Sequence, residues 1–467
     1  MLLLLSAWAT FSSIELLAEI FDSYKLSSYE KAVEMGLGRR FRTMVEISIL
    51  LFCCGTAVGY VKAVGDIMER VVPYMTKTHE QMAMCAVWLV AMLPLSCLRK
   101  MKSLEYASSV GIMGIGTLLI AAIGHLVRSV RNGHEYNKGD NINYLYGLEQ
   151  NNHNLITNNI YDSELSSIVS LLGPVDGSWL SVLQACPIFF YAFSSQVNVA
   201  QIFEELPEEM GDNQQKILTM NKVTFLGVFV CGLLYASLSL VTLVDFGDKI
   251  QPNVLSCYNL ASKGQPLLQV AFLGMALAVI IAFPLNIFPA RVSLIQMWEE
   301  RQNEADMGAG DDVYETSPML DREGIKQPLL YRKTRDRSAV YNSGVEVDEN
   351  GNDYNIDDPL RSLSVITTSR NESVEEERAE DFRCAQHAFL TLFLAGLALG
   401  LAMVVPNISV VFGLLGGTTS SLLGFVVPGL LGLKMDRHRI SAWVLVIFGS
   451  IIGILTTGVT IHSMVRA

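Results

Sequence analysis

The chain alternates between long apolar runs and short polar connections, and ten of the runs have the length of a membrane-spanning helix. A helix of about 20 residues crosses the ~30 Å hydrocarbon core of a bilayer. Lipid offers no partners to free backbone groups, so helices and closed barrels are the forms that span it. Only 17% of the residues are charged, whereas a soluble protein has about 25%. The ten runs are Leu2–Phe21, Met44–Val64, Met82–Leu98, Leu104–Val127, Trp179–Val199, Val223–Val244, Pro266–Phe288, Cys384–Val405, Ile408–Leu433 and Ser441–Met464. This pattern predicts an all-α polytopic protein embedded in the lipid bilayer.

The basic residues predict the orientation of these helices. Lysine and arginine concentrate in Arg39–Arg42, Arg99–Lys102, Lys434–Arg439 and the long segment 299–382. Connections rich in these residues remain in the cytoplasm. Met1 is then expected on the outer face, and the apolar run that follows it has no basic flank that would mark a signal peptide.

Composition divides the chain into three parts. Residues 1–298 form the first part of the transmembrane bundle and include an Asn-rich outer loop, 128–178. Residues 299–382 form an acidic cytoplasmic linker whose composition is typical of disorder. Residues 383–467 carry the last three helices.

The linker contains two short patterns that cytoplasmic regulators could bind or modify. One is a phosphorylation-like "RSLS" at Arg361–Ser364, and the other is a dileucine at Leu329–Leu330. Patterns of this length also arise by chance, so both interpretations stay open.

Several classes of function find no support in the sequence. Seven of the eight cysteines lie in or beside apolar runs, which leaves no disulfide framework. The seven histidines show no metal-ligand spacing, and no nucleophile accompanies a base or a phosphate-binding loop. We therefore expect no enzyme activity, metal, cofactor or nucleic-acid partner.

Polar residues interrupt the apolar run that begins at Trp179. Ser194, Ser195, Gln196 and Asn198 follow "CPIFFYAF" within five residues. They could mark an ordinary helix end, where hydroxyls bond their own backbone. They could instead mark a helix that is broken inside the membrane to bind a polar ligand.

Three stretches together resemble the amino acid/auxin permease family, which includes sodium-coupled neutral amino acid transporters and vacuolar permeases. "PIFFYAFSSQVNVAQIFEEL" (Pro187–Leu206) resembles the sixth helix of that family. "FPLNIFPARVSL" (Phe283–Leu294) resembles its eighth helix, and Val405–Lys434 resembles its ninth and tenth helices. Weaker similarities are Ser28–Arg40 and Gly55–Asp66.

The resemblance implies a LeuT-like, APC-type bundle of eleven helices, ten of them in two inverted repeats. It implies alternating-access transport of an amino acid across a plasma membrane or a vacuolar or lysosomal-type endomembrane. The first apolar run aligns with the second helix of the family, so we expect that the first family helix is absent.

The resemblance also implies a substrate site at the middle of the membrane. Its candidate residues are Phe193, Ser194, Ser195, Gln196, Asn198, Gly55, Thr56, Tyr60, Asn286, Thr418 and Thr419. Gln196 stands where the family has a histidine, and glutamine cannot titrate near neutral pH. Tight helix packing is the alternative for Gly55, Thr418 and Thr419, an aromatic belt for Tyr60, and a bond to a proline-freed carbonyl for Asn286.

Coupling and gating are predicted from four residues. Sodium-coupled relatives use hydroxyls just ahead of the first proline of the eighth helix, where this chain has Ile280 and Ala282. This difference favours proton coupling (H⁺) or uncoupled movement over sodium coupling. Lys62 and Glu205 are candidate gating residues. Their alternatives are a local ion pair of Lys62 with Asp66 and a solvated charge at Glu205.

Two further interpretations stay open. A membrane protein of the same fold could sense amino acids without transporting them, or the sequence could be a truncated gene model of a transporter.

Overall fold

The computed structural model describes residues 1–71, 77–97, 107–144, 179–206, 213–247, 250–251, 253–258, 266–308, 385–405 and 407–466. These residues form helices joined by short connections. The helices are α1 Leu2–Tyr24, α2 Tyr29–Leu37, α3 Arg39–Val71, α4 Lys77–Val87 with its continuation to Ser96, α5 Ala107–Tyr144, α6 Trp179–Ala192, α7 Val199–Glu205, α8 Asn213–Phe246, α9 Pro266–Gly308, α10 Ala385–Val404, α11 Ile408–Lys434 and α12 Arg439–Arg466. The prediction of an all-helical chain is confirmed for the described residues.

Eight of the helices are long and apolar enough to cross a membrane. They correspond to eight of the ten predicted runs and have mean hydropathies from 1.4 to 2.4. They are Leu2–Tyr24, Arg39–Val71, Ser109–Ser129, Gln215–Phe246, Pro266–Trp298, Ala385–Val404, Ile408–Lys434 and Arg439–His462. This agrees with a polytopic membrane protein, while the predicted total of ten helices and their inverted repeat stay predictions.

The other two predicted runs are helical but interrupted. α4 passes through a wide π-helical turn, Trp88–Met92, into a final turn, Leu93–Ser96, that contains Pro94. Proline lacks the N–H that would complete the helical ladder. The run from Trp179 ends as a helix at Ala192 and resumes only at Val199.

The apolar residues show which helices are central. In the most apolar stretch of Ile408–Lys434, 61% of the residues are buried inside the bundle. In the corresponding stretch of Gln215–Phe246, 6% are buried. A helix of a membrane protein that buries little of itself against other helices faces the lipid. α11 is therefore central, and α8 lies at the periphery.

Small residues allow the helices to approach α11 closely. A methyl group at Gly416 would lie 1.7 Å from the backbone oxygen of Pro187 in α6, and one at Gly432 would lie 2.6 Å from Leu16 in α1. α11 also contains two π-helical turns, Gly416–Ser420 and Leu422–Val426. Close approach of backbones at small residues is how helices associate where water provides no hydrophobic drive.

The chain divides into two units, Met1–Glu299 with His387–Ala467, and Glu300–Gln386. The first unit is the helical bundle. In the second, the described residues include the last turns of α9, which runs to Gly308 and so passes the predicted linker boundary at 299. Similarly, α5 continues to Tyr144, beyond the predicted loop boundary at 128. The rest of both segments, including the two regulatory patterns, lies outside the described residues.

Candidate functional site

The polar residues after Ala192 lie in a break between two helices. The backbone of Ser194 donates to the Tyr191 carbonyl at 3.1 Å, and the α-helical ladder is not continued beyond it. A short 3₁₀ turn, Gln196–Asn198, then leads into α7. A helix end leaves carbonyl groups unpaired, and a helix start leaves N–H groups unpaired. The break pairs several of these groups internally: the Asn198 N–H donates to the Ser195 carbonyl, the Val199 N–H to the Gln196 carbonyl, and the Ser194 hydroxyl to the Phe190 carbonyl at 2.8 Å.

The break borders a cavity of about 100 Å³ inside the bundle. The cavity lies where α3, the break, α9 and α11 meet. Its lining residues are Ile49, Phe52, Cys53, Ser194, Ser195, Gln196, Val197, Asn198, Leu285, Asn286, Pro289, Ser420, Leu423 and Gly424. None of these side chains is a carboxylate, ammonium or guanidinium group, so a ligand here would meet only neutral polar groups and apolar surface.

Gln196 provides a polar group with unused bonding capacity. Its side chain is 2% exposed, and its Oε1 accepts a bond from the Ser195 N–H at 3.0 Å. Its Nε2 has no hydrogen-bond partner in the described part of the protein. The amide lies against Gly424, where an added Cβ would be 3.4 Å away. A buried amide N–H without a partner costs about 1–3 kcal/mol, and a bound acceptor would remove that cost.

α11 contributes a second unsatisfied group, on Ser420. This side chain lines the cavity and is 1% exposed, and its Oγ likewise has no partner among the described residues. Ser420 ends the first π-helical turn. The sequence predicted the two preceding threonines, Thr418 and Thr419, as the polar residues of this part of α11.

Two hydroxyls from distant helices fix the same part of α11. Tyr29 of α2 donates to the Leu423 carbonyl at 2.7 Å, and Ser13 of α1 donates to the Gly424 carbonyl. Both hydroxyls are buried, and Tyr29 is 1% exposed. They hold the π-helical turns of α11 in the position where Leu423 and Gly424 line the cavity.

α9 contributes a backbone acceptor. Pro289 has no N–H, so the carbonyl of Leu285, four residues earlier, lacks its usual helical partner. Both residues line the cavity together with Asn286. The Asn286 amide donates to the Ala282 carbonyl at 3.2 Å. Neither Pro284 nor Pro289 frees the Ala282 carbonyl, because it lies four residues before neither of them. The alternative interpretation of Asn286, a bond to a proline-freed carbonyl, therefore does not describe this bond.

Gly55, Thr56 and Tyr60 of α3 are not among the residues that line the cavity. A Cβ on Gly55 would lie 2.5 Å from the Leu415 side chain, which is the tight packing offered as its alternative. Thr56 is buried and accepts a bond from Tyr191 at 3.2 Å. α3 reaches the cavity one turn earlier, through Ile49, Phe52 and Cys53.

Three other candidates also lie outside the cavity lining. Phe193 packs edge-on against Tyr235, with ring centres 5.6 Å apart. Thr418 is exposed, and Thr418 and Thr419 donate to the carbonyls of Leu414 and Leu415 in their own helix. The polar face of α11 toward the cavity is formed by Ser420.

The two candidate gating residues have different surroundings. Lys62 Nζ lies 2.8 Å from Glu80 of α4 and 3.7 Å from Asp66 of α3, so its ion pairing extends beyond the local pair predicted with Asp66. Glu205 is exposed and accepts a bond from Gln201 at 3.3 Å, as a solvated charge would.

Lys62 also lines a second, larger cavity of about 600 Å³, which we call the vestibule. It is formed by α3, α4, residues 402–405 and 407–409, and the connection that contains Gln251, Asn253 and Ser256. Asn253 donates to Asp66 at 2.8 Å. On the predicted orientation the vestibule opens to the outer side.

Metal binding has no visible site in the described residues. Within those ranges, no group of three or more His, Cys, Asp and Glu side chains is placed to hold a metal ion.

Comparison with known proteins gives one family for the whole chain. A family described as "Transmembrane amino acid transporter protein" matches residues 1–466. Vacuolar amino acid transporter 6 of Saccharomyces cerevisiae is 24% identical over 396 residues, which are 84% of this chain and 72% of that protein. Vacuolar amino acid transporter 5 of the same yeast is 20% identical over 425 residues, 88% of this chain and 75% of that protein. Solute carrier family 38 member 10 of Mus musculus is 19% identical over 468 residues, 99% of this chain and 33% of that protein.

Proposed function

Because the chain belongs to the transmembrane amino acid transporter family, we propose that it is a secondary transporter that carries amino acids across a membrane by alternating access. The family consists of transporters rather than enzymes. We further propose that the bundle has the inverted-repeat architecture of such transporters, and that its membrane is a plasma membrane or a vacuolar or lysosomal-type endomembrane.

The observation that carries this proposal is the helix break beside an uncharged cavity. An amino acid brings a carboxylate and an ammonium group, and burying either without a partner is expensive. The side chains of Gln196 and Ser420 offer N–H and O–H groups to the carboxylate. The Leu285 carbonyl, which Pro289 leaves without its helical partner, offers an oxygen to the ammonium group. Freed backbone groups at broken helices serve these roles in transporters.

The cavity also supports a substrate class. With a volume of about 100 Å³ and no charged side chain in its lining, it would not pair a charged substrate side chain. Phe52, Leu285 and Leu423 leave little room for a large side chain. We therefore propose small neutral amino acids as substrates.

The coupling ion is proposed on the residues ahead of Pro284. Ile280 and Ala282 offer no side-chain oxygen, and hard cations such as sodium are bound by oxygens. Proton-coupled or uncoupled transport is therefore favoured over sodium coupling.

Uptake by the purified full chain in proteoliposomes tests the proposal. Labelled glycine, alanine and serine should be accumulated, and leucine, phenylalanine, glutamate and lysine should compete weakly. Replacing sodium with choline should not reduce uptake. Absence of uptake with every substrate, at every imposed proton gradient, would overturn the transporter proposal and favour the non-transporting sensor.

Gln196→Ala tests the site itself. Removing a hydrogen bond to a charged group loses about 1.5–3 kcal/mol, so KM should rise by about tenfold to a hundredfold. Gln201→Ala is the matched control, because Gln201 is exposed and lies in α7 just beyond the break. Equal KM values for the two variants would show that the cavity is not the substrate site.

A further inference from the structure

The side-chain amide of Gln196 lies face-on against a glycine of α11. A Cβ added to Gly424 would lie 3.4 Å from Cδ, Oε1 and Nε2 of Gln196 alike. At this distance, equal separations from three atoms of one small plane mean that the plane turns its face toward the point. Gly424 is buried in the second π-helical turn of α11. Its missing side chain therefore leaves the space in which the amide is seated.

The hydrogen bond of Oε1 determines which end of the amide remains for a ligand. The Ser195 N–H donates to Gln196 Oε1 at 3.0 Å, and an N–H can bond the oxygen of an amide but not its NH₂ group. The reverse orientation of the amide would place two donors against each other. Nε2 is therefore directed away from Ser195, and it has no partner among the described residues.

Ser420 places a second unused group on the same face of α11. It lies four residues before Gly424, and side chains at this spacing are neighbours on the surface of a helix. Both residues line the cavity. Ser420 is 1% exposed, and its Oγ also lacks a partner in the described part of the chain. The seat at Gly424 thus brings Nε2 of Gln196 and the Ser420 hydroxyl to neighbouring points of one cavity wall.

The backbone that forms this seat is fixed from two other helices. Ser13 of α1 donates to the carbonyl of Gly424 itself, and Tyr29 of α2 donates to the preceding carbonyl, that of Leu423, at 2.7 Å. All of these groups are buried. The position of the seat is therefore set by the fold and does not depend on a bound ligand.

We propose that Gly424 is a positioning residue of the substrate site, which seats the Gln196 amide so that Nε2 and the Ser420 hydroxyl donate to one carboxylate of an amino acid. The seat holds both groups unpaired until the ligand supplies its oxygens, and leaving a buried donor unpaired is destabilising. A side chain at position 424 that offered an oxygen to Nε2 would therefore compete with the carboxylate. The inference rests on the amino acid transport proposed above.

Serine and cysteine at position 424 test this competition. Gly424→Ser and Gly424→Cys add side chains of similar size, and a Cβ here makes ordinary contacts, so both chains should fold. A serine hydroxyl can donate to a carbonyl of its own helix, as Thr419 does, and still accept from Nε2. A thiol is a weak acceptor. KM for labelled alanine in proteoliposomes should be about twofold to tenfold higher in Gly424→Ser than in Gly424→Cys, the effect of one ordinary hydrogen bond.

Removal of the amide should abolish this difference. In a Gln196→Ala background the two variants should have equal KM values, because no Nε2 remains to be paired. Gly413→Ser and Gly413→Cys are the matched controls, since Gly413 is buried in α11 against Thr460 and lies outside the cavity lining. They should also have equal KM values. Equal KM values at position 424, or a difference that persists without Gln196, would overturn the proposal.

Unfolding by SDS, followed by tryptophan fluorescence, gives a second measurement that needs no transport. A hydroxyl that pairs Nε2 removes the cost of an unpaired buried donor, so Gly424→Ser should unfold at a higher SDS concentration than Gly424→Cys. This difference should also vanish in the Gln196→Ala background. If the two chains unfold together, or neither folds, the seat is refuted even where uptake is robust. A more stable serine variant in a chain that shows no uptake would uphold the seat while the transporter proposal fails.

Discussion

Replacing Gly416 with alanine should force apart the two helices beside the cavity. The added methyl group would lie 1.7 Å from the backbone oxygen of Pro187, whereas such contacts are essentially never below 3.0 Å. α6 and α11 would have to separate by about 1.3 Å, the difference between these distances. A gap of about 1 Å already forfeits up to half of the dispersion energy between facing atoms.

The aromatic contacts between these helices would weaken with the separation. Phe190 of α6 packs edge-on against Phe425 of α11, with centres 5.1 Å apart, and Tyr191 stacks on Phe412 at 4.4 Å. The obstructing atom belongs to the backbone, so no change of rotamer relieves it. Overpacking should cost about 3 kcal/mol, the upper end of its usual range, of which alanine recovers about 1 kcal/mol through its helix propensity. The expected net loss is about 2 kcal/mol.

Unfolding of the full chain by SDS in mixed micelles, followed by tryptophan fluorescence, measures this loss. Gly413→Ala, in the same helix, would meet Thr460 at an ordinary 3.5 Å, and Gly458→Ala would meet nothing within 4 Å. Both controls should unfold at or slightly above the wild-type SDS concentration. If Gly416→Ala unfolded with them, the close approach of α6 and α11 would be refuted.

Two further predictions concern the supports of the site. Tyr29→Phe removes only the hydroxyl that bonds the Leu423 carbonyl, so it should lower the free energy of unfolding by about 1–3 kcal/mol. Tyr24→Phe, at an exposed tyrosine, should leave the free energy of unfolding unchanged. An equal effect of the two substitutions would contradict the role of the bond. Lys62→Met and Glu80→Gln should show a coupling energy of about 1 kcal/mol in a double-mutant cycle on stability, because their charges lie 2.8 Å apart; additive effects would argue against the pair.

The sequence predicts the spans well because their signal is local. A run of about 20 apolar residues suffices to indicate a membrane helix. Eight of the predicted runs are long apolar helices in the structure. The four polar side chains that interrupt one apolar run left two interpretations open, an ordinary helix end and a break inside the membrane. Their position agrees with the helix end that the structure shows.

The composition of the cavity was harder to predict because it depends on the rotation of each helix. Phe52 and Cys53 line the cavity, whereas Thr56, one turn further along the same helix, does not. On α11 the π-helical turns bring Ser420 inward in place of the neighbouring threonines. The bond from Tyr29 to Leu423 joins residues 394 positions apart, and no local pattern records such a pair.

The two π-helical turns of α11 have a consequence for how chains of this fold can vary in length. Each wide turn holds about one residue more than an α-helical turn, and one residue corresponds to about 100° of rotation. Deleting a residue between Gly416 and Val426 would let an ordinary turn form, so both halves of α11 would keep their orientation. The same deletion within an unbroken helix such as α12 would rotate everything beyond it. α11 can therefore lose a residue and still span the membrane, but the carbonyls that Ser13 and Tyr29 bind would be rearranged, and with them the part of the cavity that Leu423 and Gly424 line.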